Sequence, residues 1–421
     1  MVTPFATVPS GHVVDHVAKR RRPLSDLGNT ACAVHHRCAN IPPSTTDPII
    51  RCDRNVNRFG SEEHSSLAGP ARREKRDVTT HLTAPGTDGE GRTALTAAIA
   101  HGKIRNVLFL LKHGADVNQP DDKGRTPLME AIRYADTTMS DLLLAYGADP
   151  NLADQRGWTP LTWASFFGDT EKVLLLIERG ADPNKPDNNG RTALVEAAIM
   201  GRWQIVRYLL AYKADAYQAG RDGMTPLMAA VLYEQRDIVS LLLRCGVRAR
   251  HADHQGRIPL IEAVSGRDTR ITEYLLNYDA DILCEDGNGL TALTAACRSG
   301  RKEQVALLLK QRIDPNRPDG KGRIPLIEAA DRGHTHIMEL LLDHGANPNV
   351  ADKDGLTALT AARRGKHMQS AGLLLDRGCR TDQSDKEGPT ILTNAVRPIR
   401  KYFIAFMIVC LFLGNEGEKP V

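Results

Sequence analysis

The sequence predicts an all-α repeat solenoid, and three observations predict it. A glycine-led block recurs every 33 residues: GRTALTAAIAHG at Gly91, GRTPLMEAIRYA at Gly124 and GWTPLTWASFFG at Gly157, then without insertion at Gly190, Gly223, Gly256, Gly289, Gly322, Gly355 and Gly388. A second marker keeps step with the first, since HGADVN, YGADPN, RGADPN and HGANPN close their units. Aromatic residues make up only 5% of the 421-residue chain while 41% is hydrophobic, which argues against a sandwich or barrel. Nine full units and one broken one result, starting near 88, 121, 154, 187, 220, 253, 286, 319, 352 and, for the partial one, 385. Units this small cannot bury an apolar face alone and must stack on one another.

Each element of a unit has a local cause. Thr126, Thr159 and Thr225 stand where a helix N-cap is needed, and Pro127, Pro160 and Pro226 follow at the first helical position, where a missing N–H costs nothing. In the second helix Val107, Leu110 and Leu111, or Ile238, Val239, Leu242 and Leu243, have the i, i+3, i+4 spacing of one buried face. Gly114, Gly147, Gly180 and Gly345 then supply a left-handed stop. The repeated Asp-x-x-Gly segments, such as Asp154 to Gly157, lack the following glutamate of a calcium loop and read as turns.

These residues resemble the ankyrin repeat, whose unit runs D-x-x-G-x-T-P-L-x-x-A-A, then a helix ending L-L, then G-A-D-x-N. The resemblance covers residues 88 to about 396. It implies a short β-hairpin finger and two antiparallel helices per unit, stacked into an α-solenoid that binds a protein partner on its concave face. Departures from the pattern cluster in the middle. Lys213, Asp279 and Arg312 replace the stop glycine, at roughly 1 kcal/mol each if positive φ is kept. Tyr217, Arg250 and Leu283 stand where other units carry the loop asparagine. Units four to six are therefore expected to be softest, with residues 213 to 285 opening first.

A 66-residue alternation is superposed on the 33. Even units pair an arginine with a glutamate five places on: Arg125 with Glu130, Arg191 with Glu196, Arg257 with Glu262, Arg323 with Glu328. Odd units carry Ala97, Trp163, Ala229, Ala295 and Ala361 at the glutamate's place. A carboxylate at a position that ordinarily packs on the next helix needs a partner, and the finger arginine supplies one. The four pairs read as structural ion pairs; the sharper reading makes the carboxylates a ligand comb.

In the family resembled, partners bind the finger tips and the exposed end of the first helix. Here that surface carries Tyr134, Phe166, Phe167, Ile199, Met200, Leu232 and Tyr233, bordered by Trp158 and Met224 from the fingers. Four successive units with bulky apolar groups at solvent-directed positions predict a partner-binding patch. Trp163 and Trp203 fall at inward positions and read as core.

Outside the repeats the signals are weaker. Residues 1–87 carry 12 Lys+Arg against 8 Asp+Glu, leaving 43 of each sign in the rest, so the chain's net charge of +4 resides in this arm. The arm is rich in Pro, Ser, Thr, Asn and Arg without periodicity and reads as disordered. Its basic runs, Lys19 to Arg22 and Arg72 to Arg76, fit nuclear import or a solvated tail, and Ser25 fits a basophilic phosphorylation site. The cluster Cys32, His35, His36, Cys38 and Cys52 matches no zinc spacing, so no metal is expected. Residues 397–421 form an apolar tail; its run Phe403 to Leu413 is about half of the roughly 20 residues a spanning helix needs. A degenerate covering helix and an anomalous chain end both fit. Deleting residues 398–421 is expected to improve solubility.

The start MVTPFA has neither a signal-peptide pattern nor a glycine for myristoylation. Eight cysteines are too few for a disulfide scaffold, so a cytoplasmic or nuclear location is expected. No P-loop, HExxH, GxSxG or kinase signature is present. The sequence thus predicts a monomeric, non-enzymatic scaffold or adaptor without cofactor, membrane span or direct nucleic-acid contact. Its alternatives are a substrate-recruiting subunit of an enzyme complex, for example of ubiquitin-ligase type, and a nuclear transcription-linked factor.

Overall fold

The computed structural model describes residues 87–88, 91–250 and 252–380. The basic runs, Ser25, the Cys32–Cys52 cluster, the tenth unit and the apolar run Phe403 to Leu413 lie outside the described residues. Eighteen helices are described, two per unit: α1 (Ala94–Ala100), α2 (Ile104–Lys112), α3 (Pro127–Tyr134), α4 (Thr137–Ala145), α5 (Pro160–Phe167), α6 (Thr170–Glu178), α7 (Ala193–Ile199), α8 (Trp203–Ala211), α9 (Pro226–Leu232), α10 (Arg236–Arg244), α11 (Pro259–Ser265), α12 (Thr269–Asn277), α13 (Ala292–Arg298), α14 (Lys302–Lys310), α15 (Pro325–Asp331), α16 (Thr335–Asp343), α17 (Ala358–Arg364) and α18 (Met368–Asp376). First helices pack on first helices and second on second, so one continuous apolar core runs through all nine units. No described helix is long and apolar enough to cross a membrane.

The caps follow the residues. Thr126, Thr159 and Thr225 accept from the N–H three residues on at 3.4, 3.2 and 3.1 Å. Ile258 and Ile324 hold the same position without a side-chain bond. The stop glycines are left-handed, and Lys213, Asp279 and Arg312 keep that conformation at φ 67°, 71° and 58°.

The fingers differ from the expected hairpins. Among the described residues only isolated bridges form, Glu285 with Thr291 and Ala351 with Thr357. The reason is length: the Asp-x-x-Gly turn closes at once, leaving too few residues for a paired strand. The Asp121 carboxylate accepts from the N–H groups of Lys123 and Arg125 at 2.9 and 2.8 Å. Successive fingers then lie against each other, with Gln155 N–H on Lys123 O at 3.0 Å and Asn188 N–H on Arg156 O at 3.0 Å. Gly124 and Gly157 are needed here, because a Cβ would fall 2.8 Å from Gln155 N and 2.5 Å from Asn188 N.

The loop asparagines tie unit to unit. Asn118, Asn151, Asn184 and Asn316 each donate to a carbonyl of the following unit, at 3.2, 2.9, 3.1 and 3.1 Å. Tyr217 takes over this duty in unit four: its hydroxyl donates to Gly246 O and accepts from Arg248 N–H, both at 3.3 Å. Arg250 and Leu283 form no such bond among the described residues. The ladder is therefore broken on both sides of unit six, and the soft region narrows from 213–285 to 250–285. Amide hydrogen exchange is expected to be fastest in α11 and α12; equal protection of α7 to α14 would overturn this.

Candidate functional site

The finger-side surface of units two to five gathers most of the predicted partner-binding residues. Tyr134, Phe167, Met200 and Tyr233 lie one unit apart in register, and all four are exposed, Tyr134 the most at 58%. Phe166, Ile199 and Leu232 stand beside them, half-buried. Met224 does not belong to this rim: it is only 7% exposed, because its flexible thioether folds into the core.

An aromatic cluster anchors the unit-three end. Trp158 meets Trp163 edge-on at 4.9 Å between ring centroids and Phe166 at 5.3 Å; Phe167 stacks on Trp163 at 5.5 Å. The Arg133 guanidinium lies 4.7 Å from the Tyr134 ring and 5.5 Å from Trp163, joining units two and three. Both indole N–H groups are held by finger carboxylates, Trp158 on Asp187 at 3.2 Å and Trp163 on Asp154 at 3.1 Å. Trp163 is thus half-buried within the surface cluster rather than core. Trp203, also read as core, is exposed in the first turn of α8, with the Arg207 guanidinium 5.7 Å from its ring. Arg133 and Trp163 were missed as site residues. The signal for Trp163 was its register, since it falls 33 residues from both Glu130 and Glu196.

The four arginine–glutamate pairs are not equivalent. Arg125 is gripped twice, with Nη2 2.6 Å from Asp121 and Nη1 3.0 Å from Glu130, and Arg133 reaches Glu130 at 3.5 Å. Arg191 instead gives Nη2 to Asp222 of the next finger at 2.6 Å, leaving Nη1 3.7 Å from Glu196. Arg323 binds Asp319 at 2.7 Å and approaches Glu328 only to 3.9 Å. Arg257 binds Asp253 at 2.6 Å and closes no ion pair with Glu262, which departs from the pairing read from spacing. For Arg125, Arg257 and Arg323 the cause is proximity, since the turn aspartate four residues before the arginine is pre-oriented by its backbone bonds and the glutamate takes what remains; for Arg191 it is the aspartate of the next finger.

Charge follows geometry. Burial raises the Glu196 carboxyl above its ordinary value, and Arg191 only partly offsets it. Burial also raises Glu262. Hydrogen bonds from Arg191 and the Met224 N–H hold Asp222 below the usual carboxylate range despite its partial burial. A carboxyl raised in the folded state contributes stability below its unfolded value, near 4.5, and that contribution is lost as pH rises through the folded value. Glu262→Gln is therefore expected to raise the melting temperature at pH 7, with the gap closing as pH falls toward 4.5. Thermal melts across that range check it; a lower melting temperature at pH 7 would count against it.

Between the third and fourth fingers lies an open cleft of about 380 Å³ lined by Gln155, Arg156, Trp158, Asp187, Asn188, Asn189, Arg191 and Glu196.

The family profile "Ankyrin repeats (3 copies)" matches residues 71–154, 136–219, 213–286, 268–352 and 326–409, together spanning most of the chain. No curated protein matches the sequence. With the period, the paired helices and the profile in agreement, the chain belongs to the ankyrin-repeat family.

Proposed function

We propose that the chain is a non-enzymatic scaffold or adaptor whose protein partner lies along the concave face of units two to five. Ankyrin repeats are in general protein-interaction modules. The observation that supports this surface is the ladder Tyr134, Phe167, Met200 and Tyr233, one exposed apolar side chain per unit. Such a strip loses roughly 25 cal/mol for every Å² it keeps in water, and aromatic anchors of this kind dominate protein interfaces. Sparse cysteines support a cytoplasmic or nuclear setting. The test is affinity purification of the whole chain against a Tyr134, Phe167 and Tyr233 to Ala variant of unchanged helical content. Phe166 is kept in both because it packs on Trp158. A specific partner is expected to be lost from the variant. Partners that persist unchanged would remove this face from consideration.

A further inference from the structure

Glu196 is a buried carboxylate without a close cation. It is only 5% exposed, yet its nearest cation, Arg191 Nη1, stands 3.7 Å away, beyond hydrogen-bond length. The cause lies one unit on. The fifth finger opens with Gly220 where other fingers have the turn aspartate, and its carboxylate is displaced to Asp222, from where it draws Arg191 away. Glu196 is left lining the cleft between the third and fourth fingers. The indole of Trp158 lines the same cleft, its N–H committed to Asp187. Asp187, Glu196 and Asp222 set three carboxylates against Arg191 and the exposed Arg156. A buried carboxylate short of donors, beside a flat π-face, is the complement of a planar cation.

We infer that this cleft receives an arginine side chain of the partner, its guanidinium lying against Trp158 and donating to Glu196 while neighbouring apolar residues of the same segment cover the ladder. This rests on the proposed concave-face reading and adds the partner's chemistry to it. Arginine fits better than lysine because its planar fork can stack and donate at once. The ladder borders the cleft, since Trp158 of the cleft meets Phe166 at 5.3 Å and Phe166 meets Phe167 at 5.5 Å, so one short segment reaches both.

The probe is a displayed library of random peptides selected on the immobilised full chain, followed by anisotropy with the enriched peptides. Enriched sequences are expected to share an arginine among apolar residues. Replacing that arginine by glutamine is expected to weaken binding to the wild-type chain about tenfold or more and to change binding to a Glu196→Gln variant little. Asp222→Asn supplies a second arm. It frees Arg191 to occupy Glu196, so arginine peptides are expected to bind it several-fold more weakly although residue 222 does not line the cleft. Circular dichroism and melting confirm that both variants fold. A pool without a shared arginine, an unenriched pool, or an arginine whose loss costs the same on Glu196→Gln overturns the inference. Peptides weakened by the Tyr134, Phe167 and Tyr233 substitutions but indifferent to arginine would sink this inference alone. Peptides indifferent to those three substitutions would sink the proposed function.

Discussion

Arg125→Met is expected to lower the stability of the N-terminal units by about 3 to 5 kcal/mol, because it leaves the buried Asp121 without a cation and Glu130 with only Arg133, at 3.5 Å. Asp121 is fully buried at its side chain and Glu130 is 3% exposed, and the Arg125 guanidinium contacts both at 2.6 and 3.0 Å. Burial works against the Arg125 charge, but the Asp121 hydrogen bond and the Glu130 field more than offset it and hold its proton above the ordinary value. Methionine keeps most of the stem's volume, so the loss reports on charge rather than on packing. In a quasi-one-dimensional array the damage stays local. Urea unfolding is therefore expected to show units one to three melting in a separate early transition while the rest hold. Arg191→Met is the control. Its close partner Asp222 is about one-third exposed and Glu196 stands 3.7 Å off, so its loss is expected to cost less than that of Arg125. Equal shifts for the two variants, or a shift below about 1 kcal/mol for Arg125→Met, would contradict the account.

That contrast shows where the sequence stops being legible. The 33-residue period carries the helices, their caps and their stops, because each is a local property of a few residues in fixed register. The Arg–Glu spacing carries the nearness of the two charges but not the outcome of competition among them. In units six and eight the turn aspartate wins; in unit four the winner is Asp222, which belongs to the next unit and is read from the absence of an aspartate at Gly220. Two tryptophans make the same point. Trp203 is exposed because it sits in the first turn of its helix, and Trp163 joins the surface because it occupies the comb position that other units fill with Glu or Ala. Exposure at a repeat surface is set by register across units, which a reading of one helix at a time misses.

The same cross-unit logic makes Lys172→Ala the second large expected loss, about 3 kcal/mol. In seven described units the N–H after the first helix's stop returns to a carbonyl five residues back, as Asp169 does to Ala164 O at 3.1 Å. Units two and six lack this bond. Ala135 and Arg267 replace the stop glycine there, and the chain leaves each helix in extended conformation, at Ala135 and Gly266. The following unit adds a donor at each helix end, Lys172 Nζ on Ile132 O at 3.1 Å and Gln304 Nε2 at 3.3 Å on Ala263 O, which also accepts the Gly266 N–H. Lys172 and Gln304 share a column with Asn106, Met139, Ile205, Ile238, Ile271, Ile337 and Ser370, and these two follow the two units whose chain leaves the first helix in extended conformation. Lys172 is buried and its ammonium lies 2.9 Å from Asp169; truncation leaves the Ile132 carbonyl without this donor and opens a cavity. Lys172→Ile removes the cap without a cavity and is expected to cost about 1 to 3 kcal/mol. Adding Ala135→Gly lets unit two form the returning N–H bond and is expected to recover about 1 kcal/mol or more of that loss, a coupling measurable by a double-mutant cycle in urea. Strict additivity of the two substitutions would mean that Lys172 answers to something other than the missing glycine.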